Sequence, residues 1–341
     1  MHQPKLSIED LRRRTSDLRG IADVRLVTLE DGPGRGQRLL QLRNGAGVEV
    51  EIAVDRGFDL ATLRVRGVNL GWNSPVGLRT PSFPGDLEHG LGPLRSFDGF
   101  LVTCGLDHYG KPAEGPAHHF AYGLRNTVTY PLHGRVSAQP ATIRGYGIRD
   151  DSSPAVWCEG EVRQAAVFGE VLVLTRRIEI PLFEGRITLT DTVTNRGFRP
   201  TRHAMLYHFN VGFPFLDETS ELTGQFGTLQ DAFKSEPRIP RDDAQEKVDV
   251  VHPEADSRGL VTVGMRNPAL DGGLSLQIQV HKAQLPTVAL WQCWQSGLYV
   301  VGIEPCTPLP DNLDVNGDDS SAFLPASSTR RYDIAITVAA G

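Results

Sequence analysis

Two short stretches carry the side chains best suited to moving protons. In GLYVVGIEPCTPLPDN, residues 297–312, an apolar strand gives way to three prolines, and Glu304 stands where the strand runs out. Strand alternation sets Glu304 on one face with Val300 and Gly302, and Tyr299, Val301 and Ile303 on the other. Gly302 leaves space beside the carboxylate and Pro305 stiffens the exit. Glu304 therefore reads either as a positioned general base or as a solvated strand-end glutamate. In RHAMLYHFNVGFP, residues 202–214, the same alternation aligns Leu206, His208 and Asn210 and turns Tyr207, Phe209 and Val211 away. An imidazole changes charge near neutral pH, which suits His208 to general acid work; the alternative is a core histidine satisfied by a backbone carbonyl. Asn210 is placed to orient a hydroxyl, and His203 has the opposite parity.

Weaker candidates surround these. His133-Gly134, in YPLHGRVSAQPA, has the form of a loop that lets a polar side chain approach a ligand. GPLRSFDGFLVTCGLDHYG, residues 92–110, gathers Arg95, Asp107 and His108 among turn glycines. Arg95 suits a forked contact to a polyol or anion, and equally a structural ion pair. Lys282 and Trp291 offer a cation and a flat aromatic able to line a sugar site, with core packing the other reading for Trp291. Asp107, His108, His118, His119 and His133 fall in one short span, but their spacing fits no tetrahedral zinc set, so no metal is expected. DGPGRGQ near residue 31 lacks the strand–loop–helix context of a phosphate loop and reads as a turn.

The elements that must hold these groups are strands. Val48, Val50, Ile52 and Val54 alternate with Glu49 and Glu51; Leu274 to Val280 and Tyr332 to Val338 repeat the pattern. Such runs predict antiparallel strands with one packed and one wetter face. Only the start reads as helix, capped by Ser7 with Asp10 three residues on, and with Ile8, Leu11 and Leu18 near one face. The charged run from Glu236 to Lys247 reads as a surface loop. At 341 residues without a repeat or linker, the chain is expected to form one all-β sandwich over 1–341, with residues 1–20 a helical extension. A net charge of -6 gives no general attraction to nucleic acid or anionic membrane. No apolar run has membrane-spanning length, MHQPKLSIEDLRRR lacks a secretory core, and four scattered cysteines suggest reduced thiols in a cytoplasmic protein.

Taken in order, these segments resemble the aldose 1-epimerases (galactose mutarotase-like proteins), most closely their DUF4432 branch. DRGFDLATLRVRGVNLGWNSP resembles the first sheet of that superfamily, and LRSFDGFLVTCGLDHYG and YPLHGRVSAQPA resemble signature segments of the branch. LYHFNVGFP, LPTVALWQ, YVVGIEPCT and FLPASSTRRYDIAITV follow in the expected order. The resemblance implies a galactose mutarotase-like β-supersandwich with a sugar groove on its concave sheet, and an isomerase that needs no cofactor. It gives Glu304 the place of the general base, His208 the strand of the general acid, and His133 the place of a histidine before glycine, which makes His133 the alternative acid. The usual acid position is Leu206 here, two residues before His208, and Arg95 stands in for an absent sugar-binding arginine. Arg95, His108, Asn210, Lys282 and Trp291 would position a small carbohydrate in a monomer or homodimer. Two rival readings are a non-catalytic carbohydrate-binding protein on the same sandwich, and a sugar isomerase or epimerase acting at another carbon.

Overall fold

A computed structural model describes residues 7–81, 85–270, 272–308 and 322–340. An eight-stranded antiparallel sheet forms one layer, in the order Glu221–Gly224, Leu260–Asn267, Leu274–His281, Thr329–Ala339, Arg186–Asn195, Val171–Pro181, Ala155–Ala165 and Ala141–Arg149. Against it lie two five-stranded sheets. The first is the meander Asp23–Thr28, Arg38–Arg43, Val48–Ala53, Asp59–Val65 and Val68–Asn69. The second, which carries the candidate site, runs Lys247–Val251, Thr287–Cys293, Val300–Cys306, Leu206–Gly212 and Leu101–Cys104. The two join where Trp72 N–H donates to the Asn210 carbonyl (3.1 Å) and Gly212 N–H to that of Leu70 (3.2 Å). This is a galactose mutarotase-like β-supersandwich.

The strands follow from alternation. In RITLTDTVTN, Ile187, Leu189, Asp191 and Val193 are buried while the intervening threonines stay half-exposed, where a β-branched side chain packs well on a pleated surface. One continuous core joins Ile187, Leu189 and Ile178 of the large sheet to Tyr207, Phe209, Val301 and Ile303 of the site sheet. The site sheet departs from the one-wet-face expectation, since every residue of Leu206–Gly212 and of Val300–Cys306 is buried. These two strands lie inside the sheet, and a loop and aromatic side chains cover their second face.

The N-terminal helix is shorter than residues 1–20. It spans Ile8–Arg12, with both hydrogen bonds of the Ser7–Asp10 capping box formed, and a separate 3-10 turn covers Leu18–Gly20. Between them Thr15 Oγ1 donates to the Asp17 carbonyl (2.8 Å) and accepts from its N–H (3.1 Å). Such local side-chain bonds compete with helix continuation. The DGPGRGQ segment is the turn between Asp23–Thr28 and Arg38–Arg43.

Candidate active site

Register brings the two proton-moving groups together. Leu206 pairs with Cys306 and Phe209 with Ile303, so His208 comes opposite Glu304 on the neighbouring strand. The pairing lapses across Tyr207 and His208, opposite Pro305, which has no N–H to give. The strand continues through Pro305 to Cys306, so Glu304 lies within it, 4% exposed, and is not a solvated end residue. Pro308 follows the strand, and Pro310 lies outside the described residues. Glu304 Oε1 sits 3.1 Å from His208 Nε2.

Room for this contact comes from Gly302, flanked by Trp291 on one strand and Asn210 on the other. A methyl there would lie 2.7 Å from Glu304 Oε1 and 2.8 Å from His208 Cε1. Gly134 serves a different need, because a side chain there would collide with the carbonyl oxygens of Gly105 and His108. That close backbone approach presents His133, itself at positive φ (59°), to the site.

Aromatic rings enclose the pair. The Trp291 ring stands edge-on to His208 at 5.4 Å, with Trp72 6.2 Å beyond it. Phe97 meets His208 at 5.0 Å and His133 at 5.8 Å, and the two imidazoles are 5.5 Å apart. The loop carrying Phe97 is anchored from below, where Arg56 donates to the Ser96 carbonyl (3.2 Å) and Asn210 Nδ2 to that of Gly99 (3.0 Å). A cleft of ≈ 180 Å³ reaches Phe97, His133, Gly134 and Arg135 from outside.

Burial sets the protonation of these groups. It pushes Glu304 up to about 8, with the nearby Glu246 carboxylate adding to the effect. His208 is pushed well down by burial and by His133, with Asn210 acting in the opposite direction. His133 falls to about 4, through burial and then His108. Among the described residues His208 Nδ1 and Asn210 Oδ1 are buried without a hydrogen-bond partner, and Glu304 Oε1 has none besides its 3.1 Å contact with His208. Buried polar atoms are normally paired, so the open ones around Gly302 mark a place for a polar ligand.

The other sequence candidates lie elsewhere. His108 is buried behind the cleft, with Nε2 2.7 Å from the Lys111 carbonyl and its ring 5.3 Å from Tyr130. Arg95 is exposed and paired with Glu88 at 2.7 Å, on a turn where its guanidinium does not meet the Glu304–His208 pair. Lys282 pairs with Glu254 at 3.0 Å, at the turn after Leu274–His281. Arg95 follows its ion-pair alternative, and Lys282, expected to line a sugar site, is likewise held by a carboxylate within reach of its flexible side chain. Among the described residues no three His, Cys, Asp or Glu side chains converge to hold a metal ion.

Phe97, Trp72 and Glu246 join the site unannounced by the sequence reading. Glu246, within the run read as surface loop, accepts from Trp291 Nε1 at 3.0 Å. Phe97 and Trp72 lie on loops, where strand parity says nothing about direction. The signal open to a reader was position, since Phe97 lies two residues from Arg95 and Trp72 within GWNSP.

Solved structures share this architecture. A provisionally assigned aldose 1-epimerase from Klebsiella pneumoniae superposes with a TM-score of 0.79 at 23% identity, over 92% of this chain and 83% of that one. A galactose mutarotase-like protein from Clostridium acetobutylicum gives 0.63 at 13% identity, over 93% and 98%. A galactose 1-epimerase from Lactobacillus acidophilus gives 0.52 at 14% identity, over 93% and 99%. No curated protein matches the sequence. Residues 34–338 match the family described as a domain of unknown function, DUF4432. The chain belongs to the DUF4432 family and carries the galactose mutarotase-like fold.

Proposed function

We propose that the protein is an aldose 1-epimerase-like isomerase, interconverting the anomers of a sugar by acid–base ring opening. The observation that carries this reading is the buried Glu304 carboxyl 3.1 Å from the His208 imidazole, with open polar atoms on both. Opening a cyclic aldose removes the proton of the anomeric hydroxyl and adds one to the ring oxygen as the C1–O5 bond breaks. Rotation about C1–C2 and reclosure then give the other anomer. Glu304 takes the hydroxyl proton, and His208 supplies the proton to the ring oxygen. In the closed site, burial favours the proton on Glu304 and a neutral His208. Moving that one proton across the 3.1 Å contact gives the carboxylate and imidazolium that the first step uses. Burial pushes His133 down to about 4, so it is neutral near pH 7. Trp291 and Phe97 supply flat apolar faces against which a sugar ring packs.

The test is anomer exchange by NMR on a panel of neutral and acidic aldoses, wild type beside Glu304→Gln. The variant should keep the wild-type fold by circular dichroism and lose exchange by roughly 10²–10⁴-fold, the usual worth of a positioned general base. Unchanged exchange in Glu304→Gln would overturn the assignment. Saturable sugar binding without exchange in the wild type would instead favour a non-catalytic carbohydrate-binding protein.

A further inference from the structure

A second set of buried polar groups lies beyond the proton-moving pair and is not used by it. Arg202 is 2% exposed, yet among the described residues Nε and both terminal nitrogens of its guanidinium have no hydrogen-bond partner. Its neighbours do not close on it. Asp107 gives Oδ2 to Arg135 at 3.3 Å, and its Oδ1 is itself without a partner. Tyr130 offers only its ring, 5.4 Å from the Arg202 guanidinium carbon and 5.9 Å from that of Arg135. His108 lies against the same ring and leaves Nδ1 open. Two guanidiniums thus share one aspartate, which is already committed to Arg135. Glu170, the other carboxyl of this region, is pushed toward its protonated form by burial and by Asp107. Burial lowers the Arg202 guanidinium and Tyr130, Asp107 and Tyr109 return only part of that cost, which leaves a buried cation without an acceptor unfavourable.

We propose that Arg202 is the core of a second site, which binds a small oxyanion of the carboxylate, sulfate or phosphate type. A planar fork of N–H donors matches such oxygens two at a time. Ala204 and Leu206, which lie between Arg202 and His208 in the chain, pack with Tyr109, Val102, Cys104 and Cys306. Six residues of chain limit the separation from His208 to roughly 20 Å. The oxyanion is therefore either bound free or carried on an extended sugar ligand. The second source rests on the aldose reading above, and the first does not.

The experiment is isothermal titration of sodium sulfate and sodium phosphate into the wild-type protein at constant ionic strength, with thermal unfolding in parallel. A saturable one-site isotherm is expected, with Tm rising by about 4 °C at a hundredfold excess over Kd. Arg202→Met should abolish both, and without anion it should unfold at or above the wild-type temperature, since it removes an unpaired buried charge. Heats that never saturate, or a Tm rise equal in both proteins, would overturn the proposal. So would an Arg202→Met protein that unfolds well below wild type in sulfate-free buffer, because Arg202 would then be paired and structural. Competition then separates the sources: an acidic aldose that displaces sulfate carries the anion itself, whereas an inert one leaves a free-ion site. Sulfate binding without anomer exchange on any aldose would leave this site standing while the isomerase reading falls.

Discussion

Two groups of buried charge face opposite sides of the same strand. On the core side, Arg176 is 0% exposed and spends its whole guanidinium: Nε on Asp191 (2.9 Å), one terminal nitrogen on Asp59 (2.9 Å) and the Phe58 carbonyl (3.3 Å), the other on Asp191 (2.7 Å) and Thr103 (2.8 Å). Tyr207 adds a hydrogen bond to Asp191 at 2.9 Å, so this network ties all three large sheets together. On the other side of that strand, His208 faces Glu304, with Nδ1 and Oε1 open. Burial is equal in both places, whereas saturation is not. A fully bonded charge network holds a fold, while unfilled buried polar atoms are tolerated only where something else is to fill them.

The sharpest way to break the comparison is to unsaturate the core network. Asp191→Asn keeps the shape but leaves Arg176 short of charge, and should cost about 3–5 kcal/mol of stability in urea denaturation. Anomer exchange per folded molecule should stay within a few-fold of wild type, because Asp191 lies on the core side. A small stability loss would mean that the network is not what joins the sheets.

Next comes pH. Glu304 is raised from the ordinary 4.5 to about 8, so the folded state holds this proton where the unfolded chain has lost it. Its contribution is fully present below pH 4.5 and is lost by the time pH has risen through 8, a change of roughly 5 kcal/mol. His133, depressed to about 4, works the other way, contributing above its ordinary 6.5 and losing that contribution as pH falls through 4. Wild type should therefore weaken between about pH 6.5 and 8 in urea titrations, and Glu304→Gln should flatten that slope. Arg176 offers no such signature, since burial lowers it but Asp191 and Asp59 outweigh that and hold it above its already high range. A wild-type slope that survives Glu304→Gln would place the titrating group elsewhere.

The contrast also explains what the sequence made legible. Period-2 alternation located the strands Val48–Ala53, Leu274–His281 and Thr329–Ala339, because one face of each is apolar. Parity within a strand put His208 with Asn210 and Glu304 with Gly302, and register then set Glu304 against His208. What alternation hid were partners from other sheets and from loops. Asp191 and Arg176 sit at inward positions where the pattern calls for apolar residues, and nothing local says that they meet. Phe97 and Glu246 reach the site from connecting segments without a fixed period, and Arg202 sits on a separate two-residue strand, Thr201–Arg202, paired with Phe323–Leu324. Asn210 was legible as a site-facing residue, but its amide is half committed to the Gly99 carbonyl beneath the Phe97 loop.

The finest test adds one methyl between the two sides. Gly302 is not in the left-handed region, so alanine strains no backbone there, and its methyl points away from the core toward Glu304 and His208. The atoms that it would meet, Oε1 at 2.7 Å and Cε1 at 2.8 Å, are the far ends of two side chains that can swing apart. Stability should fall only modestly, by about 1–2 kcal/mol, as in a mildly overpacked interior. Anomer exchange should fall further, by roughly tenfold to a hundredfold, because proton transfer needs the pair in reach of each other and of the sugar. At Gly264, on the large sheet, the added methyl would instead meet the Leu276 backbone, which cannot swing aside, so there the loss should fall on stability and not on exchange per folded molecule. If Gly302→Ala instead loses stability in step with exchange, the pair is part of the scaffold, and the distinction between a saturated core and an open site does not hold at Glu304.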